Sequence, residues 1–229
     1  NRWTSQVFKP KDAASTGGNS AGATDPKTGL IYIPKAAGGD AMAQINLKTK
    51  SSINIPMPKE LKASKFFSVV WNTPLKGFLL IGGSTGWIGQ LDRLNMYLYQ
   101  PDKKKGHWQD ISNKIQGTVI PAPRISACLA SANDGNQLVY FGGYTRDKVS
   151  IHRDIHILDI KTMTWRKGTN ISNKERRSEA ACAVSGDQFV IWGGQQQGIP
   201  FNNTIVYNIK TNKWVKSFKA AVKKMIIPQ

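Results

Sequence analysis

The chain has 229 residues, 40% of them apolar and 20% charged, which allows one large β domain or two smaller units and excludes a disordered or membrane-embedded composition. No run approaches the roughly 18 consecutive apolar residues of a membrane-spanning helix, and the opening "NRWTSQVFKPKD" lacks the basic, apolar and small segments of a secretory leader. Lys and Arg number 32 against 14 Asp and Glu, a formal charge of +18, whose field favours acidic partners, whether nucleic acid, polysaccharide, lipid or protein. These cations are scattered, with no dense basic arm, so a generally basic surface without a dedicated ligand is the competing reading.

In chain order, Trp3 in "NRWTSQ" reads as the outer strand of a preceding unit, assigned residues 1–12. Residues 13–62 hold a degraded unit: "SAGATDPKTGLIYIPKA" and "AMAQINLKTKSSINIPMP" give strand, turn, strand, loop, strand and turn. Three fuller units follow at 63–118, 119–172 and 173–219, then a tail at 220–229. Each opens on a small, mildly apolar strand ("FFSVVW", "ISACLAS", "EAACAVS") and a tight turn. The second strand is almost wholly apolar ("FLLIGG", "LVYFGG", "FVIWGG"), as expected of a strand covered on both faces. A variable loop, an alternating third strand and a Lys/Thr/Asn/Asp turn lead to an outer strand with one tryptophan.

Two landmarks advance together through these units. The glycine doublets are Gly82-Gly83, Gly142-Gly143 and Gly193-Gly194, and the tryptophans are Trp108, Trp165 and Trp214. Steps of 49 to 60 residues define a repeat of roughly 50. The doublets suit positive φ and close backbone approach where a strand ends. The locked tryptophans predict packing between units rather than stacking platforms for a ligand.

"PAPRISACLASANDGNQLVYFGG…DIHILDIKTMTW" resembles the kelch family, including the Arg124 that leads into the first strand. The wording "ATDPKTGLIYIP" and "AACAVSGDQFVIWGG" is also similar to uncharacterised fungal proteins of the galactose oxidase/kelch and attractin-like kind. The resemblance implies an all-β, kelch-type β-propeller of four-stranded blades. It predicts about four blades plus a stub, as part of a larger propeller. It implies a non-catalytic interaction scaffold binding a protein or peptide, through acidic or polar segments, and it points towards secretion or the cell surface.

Kelch-like propellers include galactose oxidase, which holds copper with two Tyr and two His and cross-links a Tyr to a Cys. Here His152 falls in a loop and His156 in an extended strand, which predicts roughly 13 Å between them, and neither Cys128 nor Cys182 lies beside a tyrosine. No metal, cofactor or catalytic residue is expected. The two cysteines occupy matching places in adjacent units, which predicts displaced rather than facing thiols and no disulfide. Two glycosylation sequons, at Asn170 and Asn202, fall in predicted loops.

Binding is expected on the face where the loops between second and third strands meet the links between blades. That face gathers Trp87, Arg93, Tyr144, Arg146, His152, Arg153 and Gln195, with Arg124, Arg176 and Arg177 from the links. Arginine among aromatics is enriched at interface anchors. Alternatively these arginines bridge neighbouring loops. An acidic carbohydrate or nucleic acid attracted by the charge is the other ligand class.

Overall fold

Along Leu138–Phe141 every side chain is buried, and successive residues point to opposite faces, as a pleated strand requires. Val139 and Phe141 pack with Ile155 and Ile157 against Phe189, Ile191, Ile205 and Tyr207 of the following sheet. Leu138, Tyr140 and Leu158 pack the other way, against Leu79, Ile81, Met96 and Leu98 of the preceding one. The apolar second strand is thus the centre of a sheet sandwiched between two others.

The computed structural model describes residues 22–34, 41–62, 64–85, 93–101, 107–145 and 150–219. Within them lie four antiparallel four-stranded sheets, the blades of a β-propeller. Blade 1 comprises Ala23–Thr24, Ile31–Pro34, Ala41–Asn46 and Ser51–Pro56. Blade 2 comprises Ser68–Asn72, Gly77–Ile81, Met96–Gln100 and His107–Asp110. Cys128–Ala132, Gln137–Phe141, Ile155–Asp159 and Thr164–Lys167 make blade 3. Blade 4 is Ala181–Ser185, Gln188–Trp192, Asn203–Asn208 and Lys213–Lys219. Blades 1 and 2 join through a single helical turn, Lys59–Lys62, with Leu61 buried. No helix among the described residues is long and apolar enough to cross a membrane.

The tryptophans face the preceding blade. Trp108 Nε1 donates to the Pro56 carbonyl at 3.1 Å and Trp214 Nε1 to that of Thr169 at 2.7 Å, each reaching one blade back. Trp165 is buried in the cluster shared by blades 2 and 3. Trp214 also meets the Phe141 ring at 5.2 Å, edge to face. Such ring pairs add about 0.5–1.5 kcal/mol beyond the area they bury. The far face of blade 4 differs, for Ala181, Ala183 and Val215 are exposed and Trp192 is 58% exposed.

A second periodic feature lies at the central axis. Phe66, Ser126 and Glu179, each just before a first strand, are left-handed with φ of 59, 54 and 58°. Ser126 N–H donates to Phe66 O at 3.2 Å, and Glu179 N–H to Ser126 O at 3.0 Å. The backbone therefore links blades 2, 3 and 4 in series at the channel mouth, which helps offset the cost of about 1–2 kcal/mol for each left-handed residue.

Candidate functional site

Second strands end and third strands begin at one end of the propeller, and the blade links arrive there too. Short ladders knit the two sets of loops together. Ser64–Lys65 pairs with Ser84–Thr85, and isolated bridges join Ile125 to Tyr144 and Ser178 to Gln195. Within the loops themselves, Tyr144–Thr145 pairs with Ser150–Ile151 and Gln195–Gln196 with Ile199–Pro200.

The doublet makes these joints possible. Gly142 donates to Asp154 O at 3.3 Å and Gly143 to Arg177 O at 3.0 Å, so one doublet binds its own third strand and the next blade. A Cβ on Gly142 would lie 2.3 Å from Arg177 O, and one on Gly143 would lie 2.6 Å from Ile125 O. Only glycine tolerates that approach at positive φ. The preceding junction repeats the pattern, with Gly83 donating to Arg124 O at 3.1 Å.

Arg124 and Arg177 correct the expectation that they present charge on the binding face: they are only 2% and 1% exposed. Arg124 forks onto Asp154 at 2.6 and 3.1 Å and also donates to the Gly142 and Ala122 carbonyls. Arg177 repeats this on Asn203 Oδ1, Gly193 O and Glu175 O, with its guanidinium 4.0 Å from the Phe201 ring centre. A planar fork of donors suits several fixed oxygens, and burying it requires them. The bridging alternative therefore describes these two arginines. Blade 2 has Ser64 at the corresponding place.

His152 and His156 flank the same carboxylate. Their Nδ1 atoms lie 3.9 and 3.6 Å from the two Asp154 oxygens, and His152 Nε2 is 2.6 Å from Thr145 Oγ1. The expected wide separation is thus corrected for the side chains, because both imidazoles reach to the carboxylate of Asp154 that stands between them in the chain. Burial, reinforced by the Arg124 charge, lowers both imidazoles to about 4. Burial alone would raise the Asp154 carboxyl, but Arg124 outweighs it and holds the group at about 2. The result is an ionised carboxylate neutralised by arginine between two neutral imidazoles, a polar core for the loop end.

The other predicted residues separate by exposure. The Arg93 side chain is 60% exposed, donating to Asn113 Oδ1 at 2.9 Å and lying 3.9 Å from Asp110. Arg153 is exposed, Arg176 and Tyr144 are half-buried. Gln195 accepts from Gly198 N–H at 2.6 Å and donates to Glu179 at 3.3 Å, holding its own hairpin closed. Ile199, 70% exposed at that hairpin, joins the face. Trp87, Arg146, the residues 1–12 stub with Trp3, and the tail 220–229 lie outside the described residues. Of the sequons, Asn202 is exposed and Asn170 half-buried.

Sequence reasoning missed the acceptors that turn the arginines inward. The signal was present: Asn95, Asp154 or Asn203 stands just before or at the first residue of the third strand in the three fuller units. It also missed an open depression of about 840 Å³ at the opposite end, bordered by Asp134, Asp187, Arg166 and Lys210.

Four-stranded blades joined by glycine doublets and inter-blade tryptophans define a kelch-type propeller. The KLHDC2/KLHL20/DRC7 Kelch-repeats domain model matches residues 67–224, and the chain belongs to the kelch-repeat family. It is 32% identical over 122 residues to a putative F-box/kelch-repeat protein of Arabidopsis thaliana, covering 47% of this chain and 34% of that one. With Kelch domain-containing protein 1 of Mus musculus it shares 31% identity over 117 residues, 49% of this chain and 27% of the other. A probable serine/threonine-protein kinase of Dictyostelium discoideum is 33% identical over 121 residues, 52% of this chain and 8% of the kinase. The chain spans about a third or less of the length of these relatives.

Proposed function

We propose that this propeller is a protein-interaction scaffold whose doublet-end loops receive a peptide segment with acidic side chains. Kelch domains typically bind protein partners. The observation that carries the reading is the division of labour among the arginines. Arg124 and Arg177 are consumed in holding the loops, while Arg93 and Arg153 stay exposed on the same end. A rigid loop end with outward guanidinium groups suits carboxylates, which accept their paired donors. Ile199 adds an apolar contact beside them.

Selection of displayed peptides on the immobilised chain tests this. The double variant Arg93→Glu and Arg153→Glu is expected to lose the selected acidic peptides at least tenfold, with Tm unchanged. Retained binding would overturn the reading, as would loss only on Asp187→Lys or Lys210→Glu at the opposite end. Binding of polyanions with a steep salt dependence, unaffected by the double variant, would assign the charge to nucleic acid or carbohydrate instead.

A further inference from the structure

The first strands of blades 3 and 4 run side by side along the channel, and their cysteines are out of step by one residue. Cys128 follows Arg124 by four positions, whereas Cys182 follows Arg177 by five. Because side chains alternate along a strand, this slip turns the two thiols to opposite faces of their own blades. Cys128 lies across from Phe141, on the face towards blade 4, and Cys182 lies across from Ile191, on the face towards blade 3. They therefore face each other, which corrects the expectation of displaced thiols.

The local contacts agree. Cys128 Sγ donates to Ala180 O at 3.2 Å, and Cys182 Sγ to Leu129 O at 3.8 Å, each thiol reaching the other's strand. A hydrogen bond to Cys182, together with burial, raises the Cys128 thiol well above the ordinary range. Both cysteines line a cavity of about 290 Å³ at the channel, with Ser68, Ser126 and Glu179. Cys128 is buried at 4% exposure, while Cys182 is half-buried.

We propose that Cys128 and Cys182 are a modification site, closing to a reversible disulfide between blades 3 and 4 by exchange with a small disulfide admitted through the channel. The Cys182 sulfur, as thiolate, attacks one sulfur of the small disulfide. A mixed disulfide forms and the first small thiol leaves, taking the proton Cys182 gave up. Cys128 then loses its proton and its sulfur attacks that of Cys182, breaking the mixed bond and releasing the second small thiol. Two protein thiols are oxidised and one small disulfide is reduced to two thiols. Such a bond stabilises by constraining the unfolded chain.

The test treats the purified chain with 2-hydroxyethyl disulfide, blocks residual thiols with iodoacetamide and measures intact mass, linked peptides and Tm. The expected product is a monomer lighter by two hydrogens and resistant to alkylation. It should give a Cys128–Cys182 peptide and a Tm higher by about 5 °C or more, reversed by a phosphine reductant. Cys128→Ala should retain a mixed disulfide on Cys182, and Cys182→Ala should take up none. A mixed disulfide persisting on the wild type, full alkylation of both thiols, or disulfide-linked dimers would each overturn the assignment. If Cys128→Ala does not fold, the wild type and Cys182→Ala decide the matter alone.

Discussion

Arg124 Nη1 lies 2.6 Å from Asp154 Oδ1, and the same arginine's carbonyl accepts the Gly83 N–H of the preceding blade at 3.1 Å. One residue therefore binds two blades at once, by its side chain forwards and its backbone backwards. Arg177 does the same between blades 3 and 4 with a neutral acceptor, Asn203.

That difference in acceptor charge predicts unequal costs. Arg124→Ala strands a half-buried carboxylate and is expected to lose about 3–5 kcal/mol. Arg177→Ala strands only neutral oxygens and should lose about 1–3 kcal/mol. Urea unfolding of both variants checks the order. Arg124→Lys should recover little, since an ammonium cannot fork onto the carboxylate and reach the Gly142 carbonyl as well.

The histidines set an acid limit. Both have folded values near 4 against an ordinary 6.5, so on acidification the unfolded chain takes up protons first. Their contribution is complete above pH 6.5 and is lost as pH falls towards 4, at roughly 3 kcal/mol per histidine at most. Asp154, held near 2 against 3.8, adds stability that is lost only below pH 3.8. Chemical unfolding between pH 7 and 4 should show the decline. Replacing both histidines with glutamine should flatten it.

Glycines with similar φ should respond differently according to their neighbours. Gly143→Ala forces a Cβ to 2.6 Å from a backbone carbonyl at φ of 80°, and a loss of about 2–4 kcal/mol is expected. Gly186 has a φ of 56° with nothing within 4 Å of an added Cβ. Gly186→Ala should therefore cost only about 1 kcal/mol, the backbone term alone. Thermal unfolding of the pair separates crowding from conformation.

The surface arginines should be silent in stability. Arg93 and Arg153 are exposed, and charge reversal at such positions stays within about 0.5 kcal/mol. A large fall in Tm for that double variant would show that the loops depend on them.

The propeller was legible in the sequence because its landmarks tolerate little substitution. A doublet whose Cβ atoms would meet carbonyls stays glycine, and a tryptophan spanning two blades stays large, so both survive as periodic marks. The loop end was less legible. An arginine in a loop looks the same whether its guanidinium turns out to solvent or in to an acceptor 30 residues away, as Arg124 does to Asp154. The histidine spacing misled because it measured along the chain and left out the reach of two side chains to the carboxylate between them. Taking the cysteines as matching places in adjacent units, without counting from the arginines, hid a one-residue slip that reverses which way a strand side chain points.

The links from blade to blade at the channel mouth are made by main-chain atoms. Since amide and carbonyl groups alone pass the link from Phe66 to Ser126 to Glu179, an aromatic ring, a hydroxyl and a carboxyl occupy equivalent stations in three successive blades. The residues at these stations can accordingly differ in chemistry from blade to blade while the spacing of the blades is kept.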